Sequence, residues 1–107
     1  MTNMKLLTTA VAGTLESSDI MITIEPADTG GIVIDLNSPV EKQYGHQIKK
    51  CIKDTIEELG VEHVQIQAID KGALDCTIAA RVKTAALRAG EATETIWEEL
   101  MWNRKSV

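Results

Sequence analysis

The stretch Ile20-Met21-Ile22-Thr23-Ile24 decides how the rest of the chain is interpreted. Its three isoleucines alternate with Met21 and Thr23, which places them on one face of an extended strand. Alternation with a period of two is typical of a strand that buries one side and leaves the other side half exposed. Pro26 ends the run because proline cannot donate a ladder hydrogen bond. The stretch therefore predicts a sheet with one apolar face.

The sequence on both sides of this strand predicts further strands. Downstream, Asp28-Thr29-Gly30-Gly31 supplies turn residues, and Ile32-Val33-Ile34-Asp35-Leu36 resumes an extended pattern, so we expect a hairpin. Upstream, residues 9–15 are expected to pair as an additional edge strand. Glu16-Ser17-Ser18-Asp19 would then connect two strands and expose both serines.

The segment after Leu36 predicts the main helix. Asn37-Ser38-Pro39 is a helix start signal, with Ser38 as the N-cap and Glu41 completing a capping box. Gly60 is expected to end the helix, and Gly45 inside it costs on the order of 1 kcal/mol relative to alanine. The apolar face at helical spacing consists of Val40, Tyr44, Ile48, Cys51, Ile52, Ile56 and Leu59.

The second half of the chain repeats the order of strands and helix. Residues 61–69 alternate, Asp70-Lys71-Gly72 forms a turn, and residues 73–80 are expected as the return strand of a second hairpin. Residues 81–89 are good helix formers that stop at Gly90. The predicted class is α+β, in the order β-β-α-β-β-α. A small mixed or antiparallel sheet of about four to five strands would carry one long and one shorter helix on one face.

Length and composition limit both the domain count and the partners. With 107 residues, we expect a single domain over residues 1–90 and a tail over residues 91–107 whose apolar spacing suits a short helix. The net charge of −5 disfavours nucleic acid and anionic membranes, and the few aromatic residues offer little stacking surface for nucleotides. The N-terminal run is a poor signal peptide, so a cytoplasmic location is expected.

Other reactive residues do not form a recognisable catalytic or metal site. Cys51 and Cys76 are too few for a disulfide framework, and we expect reduced core thiols. His46 and His63 have no partner at metal-ligand spacing and are expected at the surface. Asp70 and Asp75, which flank the Lys71-Gly72 turn, are expected to serve the backbone.

The segment Leu15-Glu16-Ser17-Ser18-Asp19 has two open interpretations. It is a polar turn, or it is a site that another enzyme modifies. A serine hydroxyl without an adjacent base is a weak nucleophile, but an external enzyme can provide that base if the hydroxyl is exposed. In the second interpretation, Glu16 and Asp19 help that enzyme to dock or to position the site.

Several separated blocks of sequence match one known family. They are Ala12-Gly13-Thr14-Leu15-Glu16-Ser17-Ser18-Asp19, Val40-Glu41-Lys42-Gln43-Tyr44-Gly45 with Ser38 before it, Asp70-Lys71-Gly72-Ala73-Leu74-Asp75-Cys76, and Ala80-Arg81-Val82. In these blocks the chain resembles the citrate lyase acyl carrier proteins, the gamma chains of that enzyme, over about residues 5–89. Ordinary acyl carriers of fatty acid synthesis differ, because their serine starts a helix within a helical bundle.

The resemblance implies a cytoplasmic, non-catalytic carrier subunit used in citrate fermentation. Its serine holds a covalent 2'-(5''-phosphoribosyl)-3'-dephospho-coenzyme A, a phosphopantetheine-type arm in phosphodiester linkage. The thiol of this arm carries acetyl and citryl thioesters while citrate is cleaved to acetate and oxaloacetate. The attachment residue matches Ser17, with Ser18 as second choice. The residues flanking this position are Gly13, Thr14, Leu15, Glu16 and Asp19.

The implied partners are the alpha (transferase) and beta (lyase) subunits of citrate lyase and the transferase that attaches the prosthetic group. Two other functions stay open. The chain is otherwise the carrier subunit of a related decarboxylase, or a non-enzymatic module that binds another protein through a sheet edge or helix face. A free-standing enzyme is disfavoured, because no catalytic constellation is present in the sequence.

Overall fold

The computed structural model describes residues 5–90, which form a four-stranded mixed sheet and two helices. The predicted α+β class is therefore confirmed. The elements in chain order are β1 (Ala10–Ala12), β2 (Ile20–Pro26), β3 (Ile32–Asn37), α1 (Glu41–Glu58), β4 (Val64–Asp70) and α2 (Asp75–Ala89).

The strands lie in the order β1-β2-β4-β3. β2 pairs antiparallel with both β1 and β4, whereas β3 pairs parallel with β4. In this register Ile22 lies opposite Ala68, and Ile34 lies opposite Ile66. The predicted edge strand before the serines is confirmed, although it is limited to Ala10–Ala12.

The predicted hairpin between β2 and β3 is wrong, because β4 lies between these two strands. Parallel strands need a crossover connection, and α1 provides one between β3 and β4. The turn at Gly30-Gly31 exists, with both glycines at positive φ, but it leads β3 away to the sheet edge. The turn residues therefore predict the bend after β2 correctly, but they do not predict which strands pair.

The predicted second hairpin is also wrong, because residues 73–80 do not form a return strand. α2 begins at Asp75, and the amide of Ile78 donates to the carbonyl of Leu74 at 3.0 Å. Ile78 and Val82 are fully buried at helical spacing. Alanine fits strand and helix patterns alike, and the helical spacing of the larger side chains decides the outcome.

The core lies between one face of the sheet and the two helices. The alternating isoleucines of β2, the alternate residues of β4 and the inner faces of both helices form one cluster. Its largest fully buried side chains are Ile20, Ile22, Ile24, Ile52, Ile56, Leu59, Ile66, Ile78, Val64 and Val82. Burial of one face only agrees with the alternation of Ile20–Ile24.

The inner face of α1 is rotated relative to the prediction. Gly45, Ile48, Ile52, Thr55 and Ile56 are buried, whereas Tyr44 is 52% exposed and Cys51 is half-buried. The expectation of two core thiols is wrong for Cys76, which is exposed in the first turn of α2. Both thiols are free.

The start of α1 also differs from the predicted capping box. The helix begins at Glu41, its N-cap residue is Val40, and that residue makes no side-chain cap hydrogen bond. The Ser38 hydroxyl accepts from the Val40 amide at 3.2 Å and donates to a carboxylate oxygen of Asp70 at 2.8 Å. Ser38 therefore joins the entry of α1 to the end of β4.

Two further expectations concern the ends of the chain and its relation to membranes. The tail over residues 91–107, with its expected short helix, lies outside the described residues. Neither helix within residues 5–90 combines the length and the apolar character that a membrane span requires.

Candidate functional site

The two adjacent serines lie in the connection from β1 to β2, residues 13–19, which we call the serine loop. Ser17 and Ser18 are both exposed, as the sequence predicts for a strand connection. The amide of Asp19 donates to the carbonyl of Glu16 at 3.1 Å, which closes a turn with both serines at its tip. Ser18 has a φ of +66°, an uncommon conformation for a residue with a side chain.

Gly13 begins the serine loop in a position that another residue would not fit. Its φ is +96°, and a Cβ atom built on it would lie 1.8 Å from the carbonyl oxygen of Ile20. The backbone of the loop therefore passes directly against the first residue of β2. A glycine here allows the close approach that turns the chain back onto the sheet.

Asp19 lies at the base of the loop and is held by Arg81 of α2. Arg81 donates from Nε to Oδ1 at 3.0 Å and from Nη2 to Oδ2 at 2.9 Å, a bidentate pair between residues 62 positions apart. The Asp19 side chain is 12% exposed and the Arg81 side chain is 39% exposed. The ion pair therefore bridges the loop and the second helix at the margin of the core.

The same carboxylate accepts three further hydrogen bonds, two from Thr14 in the loop and one from the first residue of β2. The Thr14 hydroxyl and amide donate to Oδ2 at 2.6 and 3.1 Å, and the Ile20 amide donates to Oδ1 at 2.7 Å. Hydrogen bonds from Arg81, then Thr14, then Ile20 hold the pKa of Asp19 well below its usual range. Asp19 is therefore ionised near neutral pH and fixes both ends of the loop.

A second set of contacts fastens the serine loop to the connection between β4 and α2. The Ser18 amide donates to the Lys71 carbonyl at 2.8 Å, and the Lys71 amide donates to the Asp19 carbonyl at 2.8 Å. Asp70 in turn accepts from the amides of Gly72 and Ala73 at 3.1 and 2.9 Å. The expected backbone role of Asp70 is confirmed.

The structure separates the roles expected for the two acidic residues of the loop. Glu16 is exposed, so its carboxylate can face another protein. Asp19 is directed inward to Arg81, so of the two roles expected for it, docking and positioning, its geometry suits positioning of the site. Leu15, which precedes Glu16, is 54% exposed.

Sequence reasoning missed the role of Arg81. This residue was part of a recognised block, but nothing in its neighbourhood pointed to a loop 62 positions earlier. The available signal was the uncompensated Asp19 beside a buried strand, since a carboxylate in that position requires a cation or hydrogen-bond donors.

The histidines and the half-buried cysteine singled out in the sequence take no part in the hydrogen bonds of the serine loop described above. His46 and His63 are exposed, as expected, and His63 Nδ1 accepts a hydrogen bond from the Gly31 amide at 3.0 Å. Burial raises the pKa of the Cys51 thiol, which is typical of an unreactive cysteine. Within residues 5–90, no group of three histidine, cysteine or acidic residues is arranged to hold a metal ion.

The arrangement can present a hydroxyl but does not itself activate one. Ser17 stands at the tip of a turn whose base is fixed by Asp19, Arg81 and Lys71. Of the two acidic residues near Ser17, Asp19 is the one directed inward, and its carboxylate accepts five hydrogen bonds. The geometry suits an acceptor serine that an external enzyme modifies.

Comparison with known proteins identifies the family. A family model described as the malonate decarboxylase delta subunit (MdcD), an acyl carrier family, matches residues 7–89. In the solved structures, a chain of the Pseudomonas malonate decarboxylase hetero-tetramer in complex with malonate matches with a TM-score of 0.70. That match covers 83% of this chain and 91% of the other, and at 17% identity it shows a shared fold.

Curated relatives are much more similar in sequence. The citrate lyase acyl carrier protein of Streptococcus mutans is 52% identical over 94% of this chain and 99% of its own length. The protein of the same name from Fusobacterium nucleatum is 54% identical over 85% of this chain and 97% of its own. In Lacticaseibacillus casei the identity is 56%, over 85% of this chain and 89% of the relative. The chain belongs to the family of citrate lyase acyl carrier proteins.

Proposed function

We propose that this chain is the acyl carrier subunit of a citrate lyase and that its prosthetic group is attached to Ser17. The observation that carries the proposal is the exposure of Ser17 at the tip of a turn whose base is anchored to α2. Attachment needs an accessible hydroxyl, and a carrier needs that hydroxyl on a rigid support. Ser17 meets both requirements.

The proposed prosthetic group is 2'-(5''-phosphoribosyl)-3'-dephospho-coenzyme A in phosphodiester linkage. In the attachment step, Ser17 Oγ forms a bond to phosphorus, its proton passes to a base of the attaching enzyme, and the bond from phosphorus to the leaving group of the donor breaks. When bound, the group supplies a terminal thiol for thioester chemistry with acetyl and citryl groups. Exposed Glu16 and Leu15 beside Ser17 offer polar and apolar contacts to the attaching enzyme.

A carrier of this kind works by tethering. Holding a reactive group on a leash raises its local concentration at neighbouring active sites without new contacts in the carrier itself. We propose that the alpha and beta subunits of citrate lyase receive this group in turn, and that the attaching transferase is a third partner. The net charge of −5 favours docking to basic surfaces, which mainly raises the association rate. Two free thiols fit the proposed cytoplasmic location.

A second candidate function is the carrier subunit of a related decarboxylase. The description of the matching family model and the fold shared with a malonate decarboxylase chain favour it. The relatives at 52 to 56% identity favour the citrate lyase role, because they match almost the whole chain at a much higher identity than the 17% of the decarboxylase chain.

Reconstitution with each set of partner subunits tests the proposal. The chain is produced in its native host, loaded there, and mixed with citrate lyase alpha and beta subunits or with the other subunits of a malonate decarboxylase. We expect cleavage of citrate to acetate and oxaloacetate only with the loaded chain, and no release of carbon dioxide from malonate. Malonate decarboxylation without citrate cleavage would replace the first function by the second. Inactivity of the loaded chain in both mixtures would contradict both.

A further inference from the structure

The bidentate contact from Arg81 to Asp19 connects a helix residue to the base of the proposed acceptor turn. We propose that Arg81 is a positioning residue, which preforms the serine loop so that Ser17 rather than Ser18 receives the prosthetic group. This inference rests on the proposed function of Ser17, because it concerns the choice between two adjacent hydroxyls.

The contacts of Asp19 show how Arg81 reaches the serines. Both carboxylate oxygens are bound by Arg81, so the side chain of Asp19 cannot rotate without breaking one of the two hydrogen bonds. The Asp19 amide donates to the Glu16 carbonyl, and the Asp19 carbonyl accepts from Lys71. The orientation of one residue therefore determines the closure of the turn and its attachment to the neighbouring loop.

The two serines differ in how tightly the backbone holds them. The Ser18 amide is bound to the Lys71 carbonyl at 2.8 Å, and Ser18 has a φ of +66°. Ser18 is thus fixed on the side of the turn that is bound to the connection between β4 and α2. Ser17 occupies the preceding corner, between Glu16 and Ser18. If the turn opened, both hydroxyls would become available in many orientations, and the preference for one of them would be lost.

Arginine is suited to this role for a geometric reason. A guanidinium group donates two parallel hydrogen bonds to a carboxylate, whereas a lysine ammonium offers a single point charge. Substitution of Arg81 by lysine keeps the charge near Asp19 but removes the fixed two-point contact. A misplacement of about 1 Å can slow a reaction on the order of 100-fold, so loss of orientation is measurable even when the fold survives.

α2 provides a matched control at its other end. Arg88 lies on the same helix and donates from Nη1 to the Val11 carbonyl of β1 at 2.8 Å. This contact joins α2 to the first strand, before the serine loop begins. Arg88→Gln therefore removes an arginine hydrogen bond from the same helix without touching Asp19.

The test compares wild-type protein, Arg81→Gln, Arg81→Lys and Arg88→Gln as substrates of the attaching enzyme. Initial rates at several carrier concentrations give kcat and KM, fragment masses give the ratio of modification at Ser17 and Ser18, and hydrogen exchange gives the protection of the Ser18 and Lys71 amides. Thermal unfolding confirms that each variant is folded.

For Arg81→Gln we expect kcat to fall on the order of 10- to 100-fold, a detectable fraction of product at Ser18, and faster exchange of the Ser18 amide. Arg81→Lys should show the same changes to a smaller degree, and it provides the test if Arg81→Gln does not fold. Arg88→Gln should match the wild type in all three readouts.

Two results would overturn the inference. One is attachment at Ser17 alone, with no product at Ser18, in a folded Arg81→Gln variant or, if that variant does not fold, in Arg81→Lys. The other is an equal loss of rate in Arg88→Gln. Failure of the proposed function looks different, because the wild-type chain itself would then carry no group on Ser17.

Discussion

Ser38 donates a hydrogen bond of 2.8 Å to Asp70, a carboxylate that is only 1% exposed. The two residues are 32 positions apart and lie at the ends of the parallel strands β3 and β4. The same carboxylate accepts from the amides of Gly72 and Ala73, next to the residue that binds the serine loop. The hydrogen bond from Ser38 to Asp70 therefore links the start of α1 to the connection between β4 and α2, which holds the serine loop.

Ser38→Ala should destabilise the fold. The substitution leaves one buried oxygen of Asp70 without its hydroxyl partner, and an unsatisfied buried acceptor costs about 1 to 3 kcal/mol. Chemical denaturation measures the change in the free energy of unfolding. Ser17→Ala is the matched control, because an exposed serine should change stability by less than about 0.5 kcal/mol. Equal stability of the two variants would contradict the role given to Ser38.

Gly13→Ala should be among the most destabilising substitutions in the loop. Its Cβ would lie 1.8 Å from the Ile20 carbonyl oxygen, so the backbone must move in addition to adopting a strained φ of +96°. We expect the free energy of unfolding, measured by chemical denaturation, to fall by about 3 kcal/mol or more, the upper range for single substitutions.

Gly30→Ala is the control for Gly13→Ala. Gly30 has nearly the same φ, +94°, but a Cβ atom there would meet no atom within 4 Å. Only the conformational strain applies, so a loss of about 1 to 2 kcal/mol is expected. A difference of less than about 0.5 kcal/mol between the two variants would show that the close approach at Gly13 is unimportant.

Gly45→Ala should stabilise the protein, although Gly45 is buried in α1. The nearest atom to an added Cβ is Cγ of Glu41 at 3.1 Å, and this exposed side chain can move aside. Alanine in the interior of a helix is then worth up to about 1 kcal/mol over glycine. Thermal unfolding measures the gain in stability. A lower melting temperature would mean that the atoms around Gly45 leave no space for a Cβ atom.

Asp19 should make stability sensitive to acid. Its pKa is depressed in the folded state and is about 3.9 in an unfolded chain, so its contribution is complete above that value. As the pH falls below about 4, the unfolded state binds the proton first, and the contribution is progressively lost. Asp19→Asn should therefore be less stable than the wild type at pH 7, and the difference should shrink between about pH 4 and pH 2.

Asp54→Asn is the control for the acid titration. Asp54 pairs with Lys50 at the surface, where the two side chains are 58% and 75% exposed and water screens the interaction. Its effect on stability should be small at every pH. A difference between wild type and Asp19→Asn that does not change with pH would contradict the structural role of the Asp19 carboxylate.

Some parts of the fold could be predicted because they depend on local periodicity. Ile20, Ile22 and Ile24 lie on the buried face as their alternation requires, and the serines are exposed as a polar strand connection requires. The pairing of strands could not be predicted in this way. Turn residues at Gly30-Gly31 indicate a bend. Insertion of β4 between β2 and β3, however, depends on burial of the whole sheet.

The contacts that hold the serine loop in place could not be predicted from local sequence patterns either. The serine loop was recognisable from its residues, but Arg81 reaches Asp19 from 62 positions away. Such a contact exists only once α2 packs on β1 and β2. The strand predicted for residues 73–80 is wrong for a related reason. Their alanines carry little periodic signal, and burial of Ile78 and Val82 favours the helix.

The central claim is the attachment of the prosthetic group to Ser17, and localisation by fragment masses tests it most directly. The chain is isolated from its native host, which supplies the attaching enzyme, in parallel with Ser17→Ala and Ser18→Gly. Ser18→Gly is chosen because glycine readily accepts the φ of +66° at that position. We predict that wild type and Ser18→Gly carry the added mass on Ser17 and that Ser17→Ala carries none. Unmodified native protein, or an added mass on any residue other than Ser17, would contradict the account.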